Sequence, residues 1–448
     1  MKKCWNILLV SIVLVSCLLS GCRQSIDQSP SFNDLKEGQT DAVTQGAEQF
    51  GVVSVDESGI FFMRFPLLYF YDYGARKEFV LCDQANCTHD DGSCAAYVGG
   101  SDFVTGYARY QGDIYLIQKQ PNASVFELIS MDVGGRNRKV VASLPIAAPG
   151  SDGWQLNSLD SIYYGEGFAW AKAHYRRHIG EIGKAKTESA VQLLSIDLDD
   201  GQIYPLTELM GDDAMVNFSC IGNGRAVYRI SMRTPPLMSE DEYYAQAGET
   251  GDYQAYADSY FKTTDSQGTI LLFSTADKQI STFWEGTLIN VYEEDNPDAI
   301  LWQTPPYIFY AFWENSILYG VMPDASDHSE ILSRNLDTGE VTSILTIKNG
   351  GLVGRYMGEI NNTIYEGNKI YYLIYDGEGS CVIHSYHLDT GEDERLFTDI
   401  AQVSFRIISE TSDKLIGTMN GGSDLCWITK DDYENGNLKS AVKVFPLF

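Results

Sequence analysis

The chain is short of basic residues. It holds 32 Lys and Arg against 61 Asp and Glu, which gives a formal net charge of −29. Nucleic-acid binding needs clustered cations to meet the phosphates, so this balance argues against RNA or DNA as a partner. Histidine is rarer still, with 6 residues, and long helical periodicity is scarce. The 28 tyrosines and 20 phenylalanines favour β-strands instead.

Common catalytic motifs are also missing. The sequence contains no G-x-S-x-G elbow, no H-E-x-x-H pair and no Gly-rich phosphate loop. Carboxylates brought together from distant segments would still escape this search, because their spacing along the chain carries no signal. The sequence therefore predicts no catalytic residue by motif, and leaves an enzyme built from dispersed acids as an alternative.

The long apolar run of the chain lies at its beginning. Two lysines at residues 2 and 3 precede an apolar run over residues 7–19, which is too short to cross a bilayer comfortably. The run ends in the motif LSGC, and its last residue is Cys22. This motif resembles the lipobox of bacterial lipoproteins. The resemblance implies cleavage before Cys22 and its acylation, for example with palmitate, by two or more chains that anchor stably. The alternative is ordinary secretory cleavage that leaves a free thiol.

The next segment is polar. Residues 23–49 have almost no large apolar side chains and cannot offset the cost of ordering, so we expect a flexible tether. The expected organisation is a signal peptide over 1–21, a lipidated Cys22 with its tether over 22–49, and a folded body over 50–448. The expected location is extracytoplasmic, at the membrane surface, and the body is expected to be a monomer.

The body repeats one plan. Its clearest copy lies at residues 362–397, where four short strands rich in Tyr and Ile are separated by turns with Gly or Asp. A four-stranded meander of this size cannot bury both faces alone, so copies must stack. Seven turns recur at near-even intervals, with one longer interval after the fourth: Gly59, Gly112, Gly167, Gly224, Asn315, Gly367 and Asp413.

A second signal follows each of these turns. It is a strand that ends in Asp and a turn, followed by a short apolar strand, as in ILSRNLDTGEVTSIL at 331–345 and IHSYHLDTGEDERLF at 383–397. Asp caps such a turn and Gly accepts its left-handed position. The two signals together predict an all-β fold, a seven-bladed β-propeller of four-stranded antiparallel blades, closed by face packing of the first and last blades.

The long interval is the exception. Its surplus at residues 234–267 is rich in Asp, Glu, Ala and Tyr, which predicts a loop with a helix near 240–247 or 253–260 instead of an eighth blade. The repeated Asp-Thr-Gly-Glu pattern resembles exported bacterial propellers of the LDL-receptor-related-protein-like and TolB-like kinds. This resemblance implies the propeller fold and no particular activity.

Three cysteines and a histidine lie within thirteen residues. Cys82, Cys87, His89 and Cys94 supply the ligand types of a tetrahedral structural zinc site. An exported location favours a disulfide among these cysteines instead, with one thiol left over or paired elsewhere. Both alternatives stay open at this point. We interpret Cys220, Cys381 and Cys426, which lie within strand patterns, as buried and inert.

Two other segments are candidates for binding. Residues 171–186 are basic and contain His174 and His178, and they favour either a solvated hairpin paired with nearby acids or an anion site. The insertion at 234–267 is rich in tyrosine. Residues 82–94, which we call the Cys/His loop, and both of these segments are expected on one face of the propeller. The predicted binding residues are Arg176, Arg177, Tyr243, Tyr244, Tyr253, Tyr256 and Tyr260, with contacts between the arginines and acids of the insertion.

The function that these features favour is binding without chemistry. We expect a membrane-anchored propeller that binds a glycan, a peptide or an envelope protein. The first alternative is a propeller enzyme, such as a polysaccharide lyase or hydrolase, with its site at the central channel. The second alternative is a scaffold of an envelope assembly complex, which would expose an apolar patch on one face.

Overall fold

The computed structural model describes residues 53–446 with gaps at 149–152, 180–185, 212–213, 234–236, 239, 249, 264–265, 294–295, 322–327, 349–363, 366–367, 376–380, 400–404 and 420–421. The signal peptide and tether predicted for residues 1–49 lie outside the described residues. No helix in the described ranges is long and apolar enough to cross a membrane.

The described chain forms seven antiparallel sheets of four or five strands, each with its main strands in sequence order, and one two-stranded sheet. Blade 1 contains Val53–Val55, Gly59–Arg64, Leu67–Asp72 and Lys77–Val80; blade 2 contains Phe103–Tyr110, Asp113–Lys119, Val125–Met131 and Lys139–Pro145. Blade 3 contains Gln155–Gly165, Phe168–Ile179, Lys186–Asp197 and Ile203–Pro205, with Met210–Gly211 pairing at its third strand; blade 4 contains Ala214–Gly222, Arg225–Arg233, Ser266–Ser274 and Ile280–Thr287.

The remaining blades follow the same plan. Blade 5 contains Tyr307–Trp313, Ser316–Val321, His328–Asn335 and Val341–Lys348; blade 6 contains Ile364–Tyr365, Lys369–Tyr375, Cys381–His387 and Asp393–Asp399; blade 7 contains Arg406–Glu410, Lys414–Met419, Asp424–Thr429 and Val442–Pro446. The blades assemble into a seven-bladed β-propeller, which confirms the predicted fold. Because neighbouring residues of a strand point to opposite faces, each inner strand serves two interfaces.

The hydrophobic core is divided among the gaps between blades. Seven clusters of buried residues occur, and each joins two adjacent blades. In blade 1, Phe61 lies in the cluster shared with blade 2, whereas its neighbours Ile60 and Phe62 lie in the cluster shared with blade 7. The alternating apolar residues that predicted the strands therefore also form the contacts between neighbouring blades.

Closure of the ring uses face packing, as predicted. The rings of Phe62 and Phe445 lie 4.5 Å apart, and those of Tyr73 and Trp427 lie 5.6 Å apart. The backbone N–H of Ser412 in blade 7 donates to Glu57 at 2.7 Å. The first and last blades thus close the ring through packed side chains and a contact between two turns. Each blade is built from its own continuous segment of the chain.

The Asp-x-Gly turns form as expected. Gly201, Gly339 and Gly391 have φ values of 74°, 73° and 71°, the left-handed region that favours glycine. At the start of the first of these turns, the Asp197 carboxylate accepts the backbone N–H of Asp199 at 3.0 Å. The turn at Gly339 begins in the same way, because the Asn335 side chain accepts the backbone N–H of Asp337 at 3.0 Å.

The long interval contains two additions and no eighth blade. One is a pair of helices, Glu240–Ala247 and Tyr253–Thr263, which we call the helical insertion. The other is a two-stranded hairpin, Ile289–Glu293 with Asn296–Thr304, between blades 4 and 5. The sequence predicted a helix near 240–247 or 253–260, whereas both helices form, and it did not predict this hairpin.

Strand alternation assigns the connections to two faces. In an antiparallel blade, the connection from strand two to strand three lies on the same face as the connection to the next blade. The helical insertion and the extra hairpin therefore share one face, which we call the insertion face. The opposite face has mainly short turns. Its exception is blade 7, where the helix Lys430–Glu434 and the 3-10 turn Leu438–Ser440 join strands three and four.

Candidate functional site

The four residues predicted as metal ligands come together. Atoms of Cys82, Cys87, His89 and Cys94 that could bind a metal all lie within 4.8 Å of one another, and His89 Nδ1 lies 3.3 Å from Cys94 Sγ. Cys82 and Cys94 are buried, while Cys87 and His89 are half-buried. We call these four residues the Cys-His cluster, and it is the densest group of potential ligands among the described residues.

Local turns shape the loop that carries the cluster. Asn86 and His89 have φ values of 60°, a left-handed conformation that reverses the chain twice between Cys82 and Cys94. The Asp91 carboxylate accepts the backbone N–H of Ser93 at 2.8 Å, and hydrogen bonds from Ser93 lower the Asp91 pKa. The last cysteine is thereby turned back towards the first.

Beyond the cluster, the loop is fastened to both neighbouring blades. Leu68 of blade 1 donates its backbone N–H to Ala96 at 3.0 Å, and Arg138 of blade 2 donates to the Ala95 carbonyl at 2.7 Å. Arg136 forms an ion pair with Asp83 at 2.7 Å. The loop therefore spans the outer edges of blades 1 and 2.

The loop contacts parts of both faces. It belongs to the connection from blade 1 to blade 2, which strand alternation assigns to the insertion face, and Val98 of this connection donates a backbone N–H at 2.8 Å to Pro66, between strands two and three of blade 1. Arg136 and Arg138 belong to the region between strands three and four of blade 2, which the same rule assigns to the opposite face. A surface shared by the loop and the helical insertion stays a prediction.

The thiols of the cluster are free in this structure. Cys82, Cys87 and Cys94 are all unpaired cysteines. Burial is the main cause that raises the pKa of Cys94 to about 12, with smaller contributions from Cys87 and Cys82. Cys220 and Cys426 are free and buried as expected, while the side chain of Cys381 lies outside the described residues.

The basic segment is part of a long hairpin. His174, Arg176, Arg177 and His178 all lie within the strand Phe168–Ile179, which pairs along its length with Lys186–Asp197. The segment therefore forms a hairpin, which is one of the two alternatives that the sequence left open. Strand pairing continues because Tyr175 and Ala173 remain buried against blade 2. His174 and His178 lie on one face of a strand, not of a helix.

Several cations of this hairpin are paired within blade 3. His174 contacts Asp160 at 2.7 Å, and Arg177 forms an ion pair with Glu188 at 2.6 Å and lies over the Trp154 ring. Although burial raises the pKa of Asp160, hydrogen bonds from His174 and Ser161 outweigh it, and the pKa is lowered. Arg177 thus meets Glu188 instead of the acids of the insertion. Arg176 is exposed and has no ion pair within the described part of the chain.

The tyrosines of the helical insertion form one cluster. The rings of Tyr243 and Tyr256 stack at 4.9 Å, Tyr253 lies 5.7 Å from Tyr243, and Tyr244 lies 5.5 Å from Tyr243. Tyr260 is buried, and the other four are half-buried. The tyrosines therefore hold the two helices together, and only part of each half-buried ring is available to a ligand.

One polar group was missed at the sequence level. On blade 6, Asp393 accepts hydrogen bonds from the Tyr372 hydroxyl at 2.8 Å and contacts His384 Nδ1 at 3.1 Å, with the Tyr372 and His384 rings stacked 5.0 Å apart. Burial and the nearby carboxylate raise the pKa of Tyr372. The sequence offered no signal for this group, because strand pairing alone brings these residues together.

Comparisons with known proteins found only distant structural similarities. No family model and no curated protein matches the sequence. Among solved structures, an oligogalacturonate lyase in complex with manganese is 9% identical, covers 81% of this chain and 82% of its own, and has a TM-score of 0.38. TolB from Acinetobacter baumannii is 13% identical over 85% of this chain and 76% of its own, with a TM-score of 0.30.

A third similarity is to a longer protein. Dipeptidyl peptidase 4 from Porphyromonas gingivalis is 10% identical, covers 93% of this chain and 55% of its own, and has a TM-score of 0.42. The solved structures thus include a TolB propeller, in agreement with one of the two resemblances noted from the sequence. Similarities this distant give no information on substrate or activity.

Proposed function

We propose that this protein is a lipid-anchored, extracytoplasmic β-propeller that binds a ligand or partner through its insertion face. The observation that carries the proposal is the helical insertion, a pair of helices between the second and third strands of blade 4. Additions of this length to short propeller connections are usually functional. The ligand classes that fit are glycans and peptides of the cell envelope.

The surface of the insertion has two kinds of groups suited to such ligands. Half-buried tyrosine rings offer apolar faces and hydroxyl groups, which suit sugars and extended peptides. Around them, Glu240, Glu242 and Asp252 are exposed. Arg176, at the end of the neighbouring blade 3 hairpin, adds an exposed cation on the same face. This mixture of aromatic and charged groups supports recognition more than it supports proton transfer.

A deletion tests the binding surface. Residues 238–264 of the full-length protein are replaced by a short Gly-Ser bridge, and both chains, purified in detergent, are tested on glycan and peptide arrays. The deletion should leave the thermal unfolding temperature nearly unchanged and abolish the array signals of the intact chain. A matched control carries Thr338→Ala and Thr390→Ala, two exposed turn residues of the opposite face, and should keep every signal.

Two results would contradict binding through the helical insertion. Equal binding by the deletion variant would remove the insertion from the binding surface. Turnover of an oligosaccharide on the array, with release of a shorter product, would favour the alternative of a polysaccharide lyase or hydrolase. Either outcome would overturn binding through the insertion as the function.

A second experiment tests the anchor. In a bacterial host supplied with a labelled fatty acid, the full-length chain should take up the label and partition into detergent. Cys22→Ala should lose both properties, because the thiol and the new amino terminus are the acylation points of a lipobox. Cys17→Ala, within the expected signal peptide, is the control and should behave as the unchanged chain. Membrane retention of Cys22→Ala would exclude lipid anchoring at this residue.

A further inference from the structure

The Cys-His cluster has the geometry of a nearly assembled metal site. A tetrahedral zinc with bond lengths near 2.3 Å to sulfur places two thiolates about 3.8 Å apart. The ligand atoms of Cys82, Cys87, His89 and Cys94 already lie within 4.8 Å of one another. Adjustments of about 1 Å would therefore bring all four to bonding distance. We propose that these residues bind one zinc ion in a structural site that fastens the connection between blades 1 and 2.

The donor set favours zinc over other cations. Three thiolates and one imidazole are soft and borderline ligands, which suit zinc and exclude calcium or magnesium. Four protein ligands fill a tetrahedral site and leave no open position for water or substrate. The site is thus structural, because catalytic zinc sites keep a position open.

Groups around the cluster suit a bound ion with three thiolates. Such a centre carries a net charge of about −1, because three thiolates outweigh the two charges of zinc. The Arg138 guanidinium donates to the carbonyls of Ala95 and Tyr97, next to Cys94, and adds a nearby positive charge.

The location explains what the ion would do. Cys82 directly follows the outer part of blade 1, and Cys94 lies two residues before Ala96, which pairs with Leu68. Both cysteines belong to the hydrophobic cluster that joins blades 1 and 2. A metal bonded to both ends would close the loop and restrict its unfolded states, which stabilises the interface.

A disulfide explains less of the arrangement. It would join two of the three cysteines and leave a third thiol and His89 beside it without a role. The His89 ring faces Cys94, with Nδ1 at 3.3 Å from its sulfur. A ligand role accounts for all four residues together.

Metal content tests the proposal. The full-length chain is purified without oxygen in the presence of a non-thiol reductant and zinc, passed through a desalting column, and analysed for metals. We expect about one zinc per chain. Replacing zinc with cobalt should produce thiolate-to-cobalt charge-transfer bands and the visible bands of tetrahedral cobalt. Bound zinc should also protect Cys82, Cys87 and Cys94 from alkylation.

Two variants separate loss of zinc from loss of folding, because they change Cys87 and His89, the half-buried residues of the cluster. Cys87→Ser and His89→Ala should weaken zinc binding by more than about tenfold in competition with a chelator. Cys426→Ala removes a buried cysteine of blade 7 and should keep the zinc. Circular dichroism reports whether each variant is folded.

Three results would overturn the site. The first is a folded, reduced chain that holds no zinc. The second is unchanged zinc affinity in both Cys87→Ser and His89→Ala, which would place the metal elsewhere. The third is a cystine among Cys82, Cys87 and Cys94, mapped by mass spectrometry in protein taken directly from the envelope of the host.

Discussion

At the scale of single residues, a glycine can be required for a left-handed turn or for close contact with a neighbouring backbone. Gly339 meets the first requirement alone, and Gly201 meets both. Both occupy left-handed turns, with φ values of 74° and 73°. A Cβ built on Gly339 meets nothing within 4 Å, whereas one on Gly201 would overlap the carbonyl oxygen of Val141 in blade 2. Gly339 thus serves its own turn, while Gly201 also serves the contact between blades 2 and 3.

The two glycines should respond differently to alanine. Gly339→Ala should cost about 1 kcal/mol, the usual penalty for a left-handed residue with a side chain. Gly201→Ala should cost at least about twice as much, because a backbone oxygen cannot rotate away and the blades must separate. Urea unfolding of the two variants beside the unchanged chain measures the difference. Equal losses would show that the approach of Val141 to Gly201 carries no energetic weight.

A buried ion pair is a second residue-level feature. Arg109 of blade 2 pairs with Asp56 of blade 1, and both are almost fully buried. The Asp56 carboxylate also accepts the backbone N–H groups of Ser58 and Gly59. The turn and the blade contact therefore share one side chain. The sequence shows Asp56 before a turn but gives no indication of Arg109, which lies 53 residues away.

At the scale of elements, the helix Lys430–Glu434 of blade 7 packs against blade 6. Its Tyr433 is buried among aromatic rings that include Tyr371 and Phe405. Glu434 accepts hydrogen bonds from Lys369 and from the Tyr371 hydroxyl, each at 2.7 Å. Burial raises the pKa of Glu434, but these two hydrogen bonds outweigh it, so its pKa is lowered.

A lowered pKa gives this contact a defined pH dependence. A carboxyl whose pKa is lower in the folded state stabilises that state above its unfolded pKa, near 4.3 for Glu, and loses the contribution as pH falls through the folded pKa. Glu434→Gln should therefore reduce the unfolding temperature at pH 7, with a cost of about 1 kcal/mol. The difference from the unchanged chain should shrink below about pH 4.

The control for this prediction is Glu394→Gln. Glu394 is an exposed residue of blade 6, so its replacement should change the unfolding temperature little at either pH. A Glu434→Gln difference that stays constant from pH 7 to pH 3 would contradict the assignment of its effect to an ionised carboxylate.

At the scale of the whole molecule, we expect the ring to unfold as a single cooperative unit. One hydrophobic cluster lies between each pair of adjacent blades, and one of these seven clusters joins blade 7 to blade 1. A break at one connection should therefore leave the blades associated. Limited proteolysis should cut first before residue 50 and within 234–267, and the fragments should co-elute on gel filtration.

A closure variant sharpens this prediction. Phe445→Ala removes the ring that meets Phe62 at 4.5 Å and should lower the unfolding temperature of the whole ring in one transition. Val341→Ala, at an exposed position of blade 5, is the control and should have little effect. Separation of the digest into two independently folded halves, or a separate early transition of blade 7 in Phe445→Ala, would contradict a single unit.

The sequence alone determined the parts of this protein that depend on local chemistry. Alternating aromatic residues predicted the strands, Asp-x-Gly predicted the turns, and their recurrence predicted seven blades. The spacing of Cys82, Cys87, His89 and Cys94 placed four potential metal ligands within one loop, and their ligand atoms do lie within 4.8 Å of one another. Each of these signals lies within a short segment, so neighbouring residues suffice to specify the outcome.

The tertiary structure alone decided which surfaces meet. It directed Arg177 to Glu188, stacked the tyrosines of the helical insertion on one another, and laid the Cys/His loop against blade 2. Residues distant in the chain form these contacts, and many partners of similar charge or polarity exist in so acidic a sequence. Local pattern cannot choose among them, because that choice depends on the packing of whole blades against each other.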